Sequence, residues 1–112
     1  MNAVSQVRQA VVIADAPDAD LAPFRQLIDQ ADLIIAADGG ARYLLALNIL
    51  PHLAVGDFDS LEAAMLDRLV AAGVEVQRAP VHKNETDLEL ALLQALARGA
   101  ICVRVLAALG GR

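Results

Sequence analysis

Residues 32–41, Asp-Leu-Ile-Ile-Ala-Ala-Asp-Gly-Gly-Ala, decide how the rest of the chain is read. An apolar run this short, ended by Gly-Gly, is too brief for a buried helix. It is too continuous for a strand with one wet face. It reads as a strand covered on both sides, with a short helix over 41–47 after the glycines. Working outward, the same unit recurs. Residues 9–14 (QAVVIA) form another such run. A polar loop over 15–20 follows, then a helical stretch carrying Phe24, Leu27, Ile28 and Ala31. Downstream, 53–55 read as a third strand. Ser60 can cap a helix whose inner face is Leu61, Ala64, Met65, Leu69 and Ala72, stopped by Gly73. Residues 74–78 make a fourth strand. Thr86 and Glu89 have the spacing of a capping box. They open a helix with Leu88, Ala91, Leu92, Ala95 and Leu96 in one stripe, closed by Gly99, before a fifth strand over 101–106. The order βαβαβαβαβ predicts an α/β fold: a doubly wound, mostly parallel sheet of about five strands with helices on both faces.

Composition narrows the function. The chain has 112 residues, which fits a single α/β domain over 1–112. Hydrophobic residues at 57% exclude disorder. Aromatics at 3%, with no Trp, argue against base-stacking nucleic-acid folds, and a net charge of −5 opposes a phosphate-backbone binder. One Cys, Cys102, excludes a disulfide framework and a multi-Cys zinc site; its mid-strand position predicts a core residue. No apolar run is long enough to span a membrane, and the opening residues are too polar for a signal peptide, so a cytoplasmic protein is expected. The glycine pair in Leu109-Gly110-Gly111-Arg112 follows a strand, and the sequence is expected to be part of a longer chain.

In an open parallel sheet, ligands bind outside the carboxyl ends of the strands. The sequence after each strand there holds Asp38-Gly39-Gly40, Gly56-Asp57-Phe58-Asp59-Ser60, Lys83-Asn84-Glu85-Thr86-Asp87 and Gly110-Gly111-Arg112. Asp57 and Asp59, two apart, share one side of an extended backbone. Neighbouring carboxylates repel unless a cation lies between them, and an oxygen-only donor set suits Mg²⁺. The pattern points to a Mg-nucleotide or Mg-diphosphate site. The bland reading stays open: Asp57 and Asp59 also fit a turn before the helix at Ser60, and an acid at Asp87 is favoured by the helix dipole alone. The two glycines fit a simple strand-to-helix turn, or let a phosphate approach the backbone. Lys83, the only lysine, is suited to hold a phosphate oxygen. There is no P-loop motif, no G-x-G-x-x-G and no G-x-S-x-G.

Together, Ala37-Asp38-Gly39-Gly40-Ala41, Pro51 through Gly56-Asp57-Phe58-Asp59-Ser60, Lys83 with Thr86-Asp87, and Leu109-Gly110-Gly111-Arg112 resemble thiamine pyrophosphokinase, also called thiamine diphosphokinase. The resemblance runs from about residue 32 to the end. It implies transfer of a diphosphoryl group from ATP to thiamine, giving thiamine diphosphate and AMP, with Mg²⁺ as cofactor. It implies an N-terminal α/β domain, a C-terminal β-sandwich outside this sequence, and a homodimer. By motif match, Asp57, Asp59 and Asp87 are the implied catalytic and metal-binding acids. Asp38, Gly39, Gly40, Ser60, Lys83, Thr86 and Arg112 are the implied nucleotide-site residues. His52 stands where the family often has Asp, and Asn84 where an Asp often follows the Lys. Two other readings are a Mg-nucleotide-binding module without turnover and a related pyrophosphokinase acting on a pterin-type alcohol.

Overall fold

Three apolar runs in the chain are buried along their length, and they form the middle of one sheet. The computed structural model describes residues 8–16, 20–56, 58, 63–78 and 86–106, with the side chain of Asp87 excepted. Its strands are β1 (Gln9–Ile13), β2 (Leu33–Ala37), β3 (Leu53–Gly56), β4 (Glu75–Arg78) and β5 (Cys102–Leu106). All pair in parallel, in the order β4-β3-β2-β1-β5. The helices are α1 (Arg25–Asp29), entered through a 3-10 turn at Ala22–Phe24, α2 (Ala41–Ala46), α3 (Ala63–Ala71) and α4 (Asp87–Ala97).

Alternation along the strands sends side chains to two separate cores. Val11, Ile13, Ile34, Ala36 and Ala54 meet Ile28 of α1, Leu44 and Leu45 of α2 and Leu69 of α3. Ala10, Val12, Leu33, Ile35, Ala37, Leu53 and Val55 meet Ala91 and Ala95 of α4. From β1 to β4 the chain steps one way with α1–α3 on one face. It then crosses back under α4 to lay β5 beside β1. That reversal makes the fold doubly wound, and it puts the switch point between β1 and β5.

Periodicity alone does not distinguish a central strand from an edge, and here the structure departs from the expectation. The outer strands β4 and β5 are largely half-buried or exposed. Cys102 opens β5 and is exposed, so it is not a core residue. In α3 Ala64 is exposed, as is Ala72 just past its end, and Leu66 packs inward in their stead; Leu61 lies outside the described residues. In α4, Leu96 is exposed and Leu90 joins the core. One helix covers this face of a five-stranded sheet, so the α4 stripe is narrower than a fully wrapped helix requires. Gly73 and Gly99 end α3 and α4 at φ +88° and +94°.

Two side chains stitch the amino ends of the strands. Asp32 Oδ2 accepts from the backbone N–H groups of Gln9 and Arg8, both at 3.0 Å. His52 Nδ1 accepts from Ile34 N–H at 2.9 Å, while His52 N–H donates to the Ile34 carbonyl. A carboxylate at that position would offer the same kind of acceptor. The N–H groups of Gln9 and then Arg8 hold the Asp32 carboxyl below the ordinary carboxylate range. A group depressed in the folded state stabilises above its unfolded pKa, and that stability is lost as pH falls through the folded value. Asp32→Asn should therefore melt lower than wild type at pH 7. The gap should close on acidification below about pH 4, the unfolded carboxylate value. Melting curves from pH 7 to pH 2 check this.

Candidate functional site

Parallel register brings the carboxyl ends of the strands to one edge. Ile13 lies beside Ala36 and Leu106, Ala37 beside Val55, and Gly56 beside Arg78. Among the described residues, the loop after β1 and the Asp38–Gly40 turn after β2 leave the sheet from this edge.

At the end of β2, Asp38 turns the chain with φ +49°, a left-handed conformation that Asp tolerates better than most residues. A 3-10 turn, Asp38–Gly40, leads into α2. Both glycines are buried, for reasons of space. A Cβ on Gly40 would lie 2.3 Å from the Ile13 carbonyl oxygen and 3.0 Å from that of Ala14. A Cβ on Gly39 would lie 2.6–2.8 Å from the Asp15 carboxyl group. The room these glycines leave is filled by the end of β1 and the loop behind it.

That loop carries a polar cluster the sequence reading missed. Arg42 Nη2 donates to Asp15 Oδ1 at 2.8 Å and to Tyr43 Oη at 3.1 Å. Tyr43 Oη in turn donates to the Ala16 carbonyl. The Arg42 guanidinium also lies 5.0 Å from the Tyr43 ring centroid. Its pKa is raised by the Tyr43 hydrogen bond first, against a smaller opposing cost of burial, and by the charges of Asp15 and Asp38. Asp15 and Arg42 are 27 positions apart, and no spacing rule links them.

At the end of β3, Gly56 has φ +143° and Phe58 has φ +64°. A bulky side chain in the left-handed region costs about 1–2 kcal/mol. Phe58 is 5% exposed and belongs to the core under α1–α3, so burial offsets the strain. The Arg78 guanidinium, at the end of β4, lies 5.6 Å from the Phe58 ring centroid. Asp57 and Asp59 flank Phe58 in sequence. They, with Ser60, Lys83 and Arg112, lie outside the described residues.

Thr86 is the N-cap of α4. Its Oγ1 accepts from Glu89 N–H at 3.1 Å, and its own N–H donates to Glu89 Oε1 at 2.9 Å. The hydroxyl oxygen implied at the nucleotide site is thus already used by the helix. Asp87 is the first residue of α4. Removing a Thr cap costs about 0.5–2 kcal/mol. Thr86→Ala should lower the melting temperature by several degrees, and Thr86→Ser should recover most of the loss.

Among the described residues, no group of three or more His, Cys, Asp or Glu side chains is placed to hold a metal. The acids named from the sequence, Asp38, Asp57, Asp59 and Asp87, are all carboxylates. That chemistry suits Mg²⁺ and not zinc or copper. Asp15 is committed to Arg42.

The family described as thiamin pyrophosphokinase, catalytic domain, matches residues 24–112. The thiamine pyrophosphokinase of Bacillus subtilis (strain 168) is 31% identical over 101 residues, which cover 90% of this chain and 47% of that protein. The crystal structure of thiamine pyrophosphokinase from Bacillus subtilis superposes with a TM-score of 0.77 at 31% identity, covering 94% of this chain and 49% of that one. That of thiamin pyrophosphokinase from Geobacillus thermodenitrificans gives 0.74 at 32% identity, covering 93% and 48%. The chain thus spans about half the length of these relatives.

Proposed function

The chain belongs to the thiamin pyrophosphokinase family by its catalytic domain, and from that premise we propose that it handles Mg-ATP in the transfer of a diphosphoryl group from ATP to thiamine. What carries the reading is the match across residues 24–112, a span that includes Asp38, Asp57, Asp59 and Asp87. Asp57, Asp59 and Asp87 would hold Mg²⁺. The bound ion would supply neutralisation of polyphosphate charge. The remaining work falls to the chain. Lys83 and Arg112 hold phosphate oxygens through charge-assisted hydrogen bonds. Asp38, fixed by its left-handed turn, supports the same edge. The thiamine hydroxyl oxygen bonds to the β-phosphorus, the bond to the α-phosphate bridging oxygen breaks, and AMP leaves; the hydroxyl proton passes to a base. Phosphoryl-type transfer depends mostly on positioning and electrostatics, which suits a site of fixed acids and cations.

Because the chain spans about half of its relatives, Mg-nucleotide binding without turnover is the second reading. A homodimer is the assembly this family reading carries for the full-length protein. No helix among the described residues is long and apolar enough to cross a membrane. The test is a melting temperature with ATP, with and without Mg²⁺, followed by a thiamine-dependent AMP assay. A ligand at 100 times its dissociation constant stabilises by about 2.7 kcal/mol, so Mg-ATP should raise the melting temperature by several degrees. No rise would overturn the nucleotide reading. A rise without thiamine-dependent AMP release would select the second one.

A further inference from the structure

We infer that Asp15, Arg42 and Tyr43 form a positioning clamp that fixes the Asp38–Gly40 turn, so that Mg-ATP affinity depends on side chains that need not touch the nucleotide. The inference rests on the proposed nucleotide function and adds to it a structural control that no spacing pattern suggests.

The geometry ties three segments together. Arg42, on α2, grips the loop after β1 through Asp15 at 2.8 Å. Tyr43, its neighbour, holds the same loop through the Ala16 carbonyl. The Asp15 carboxyl group lies only 2.6–2.8 Å from where a Cβ on Gly39 would be. The loop after β1 is therefore pressed on the glycine turn from one side, while α2 continues that turn on the other. Asp38 begins the turn with φ +49°, a conformation that surrounding contacts must maintain. The ion pair is not a loose surface contact. The Asp15 side chain is 18% exposed and that of Arg42 is 37% exposed, so their attraction is only partly screened. The charge of Asp38 also favours the charged form of Arg42, after the Tyr43 hydrogen bond and the charge of Asp15. Loosening the clamp frees the first acid of the site to move, and misplacement on the order of 1 Å can cost about 100-fold in the rate of such a site, besides weakening its hold on the ligand.

The chain carries its own probe. Tyr43 is the only tyrosine and there is no Trp, so intrinsic fluorescence reports one residue of the clamp. The experiment compares wild type, Arg42→Met, Asp15→Asn and Arg42→Lys by acrylamide quenching of Tyr43 without ligand, and by calorimetric titration with Mg-ATP. Arg42→Met should make Tyr43 more quenchable and weaken Mg-ATP about tenfold. Arg42→Lys keeps a cation for Asp15 and should recover much of the affinity. Asp15→Asn preserves shape and removes the charge, so it should weaken binding less than Arg42→Met. It also serves if the Met variant fails to fold. Equal Mg-ATP affinity in wild type and the folded variants overturns the clamp. Wild type that binds no Mg-ATP overturns the functional reading first, and the inference with it.

Discussion

Gly40→Ala should lower the melting temperature by roughly 10–20 °C, the largest loss expected from adding a single methyl group to this chain. The added Cβ would lie 2.3 Å from the Ile13 carbonyl oxygen, and a second carbonyl stands at 3.0 Å. Both belong to backbone at the end of β1, which is hydrogen-bonded on both sides by β2 and β5. Neither can yield without breaking ladder contacts in the middle of the sheet. Overpacking typically costs about 1–3 kcal/mol, and an obstruction made of backbone belongs at the upper end. For a domain near this size, 1 kcal/mol corresponds to about 4–8 °C. Gly73→Ala is the contrast. Nothing lies within 4 Å of its Cβ, and the cost is the strain of φ +88° alone, about 1–2 kcal/mol. Thermal melts of the two variants, side by side, decide it. A Gly40→Ala protein that melts no lower than Gly73→Ala would show that the end of β1 yields easily.

Asp57→Asn combined with Asp59→Asn should abolish the Mg-dependent rise in melting temperature with ATP while leaving the ligand-free protein as stable as wild type, or more so. Two carboxylates flanking one residue repel each other without a cation, so neutralising both relieves the free protein. The same change removes the charges that would hold Mg²⁺. The roughly 2.7 kcal/mol gained at 100 times the dissociation constant should disappear. Chelation of Mg²⁺ from wild type should reproduce the loss. A retained Mg-dependent rise in the variant would remove both residues from the site. A fall in ligand-free stability would assign them instead to the turn before α3.

What the sequence allowed to be read was local. The apolar runs at β1, β2 and β3 announce themselves because each is covered on both faces. The capping box of Thr86 and Glu89 was legible because it depends on four consecutive residues. The edge positions of β4 and β5 were not. Which strand lies outermost follows from the direction of winding, and a run of Val and Leu carries no record of that. Cys102 was misread for this reason. The left-handed Phe58 was hidden because a bulky residue gives no hint of positive φ; only the core it enters explains it. Asp15 and Arg42 meet only after β1, β2 and α2 have assembled. The acids at 57 and 59 were legible as a pair from their spacing, and their geometry lies outside the described residues.

Gln9 pairs with Cys102, 93 positions later, and every other partner of β1 on that side comes from the same late strand. Timing follows from that pairing. Among the described strands, β1 is made first and occupies the interior of the sheet, and one of its two edges waits for β5. At about 5–20 residues per second of synthesis, β1 spends roughly 5–20 s before its second neighbour exists. Throughout that interval an apolar run offers unpaired N–H and C=O groups to any other extended chain. A nascent chain halted before residue 102 exposes this edge. The β1–β5 pairing also joins residues far apart in sequence, a kind of contact that forms more slowly than local ones. Aggregation during synthesis should therefore respond most to changes that delay or weaken β5, even though β5 contributes little to the buried core.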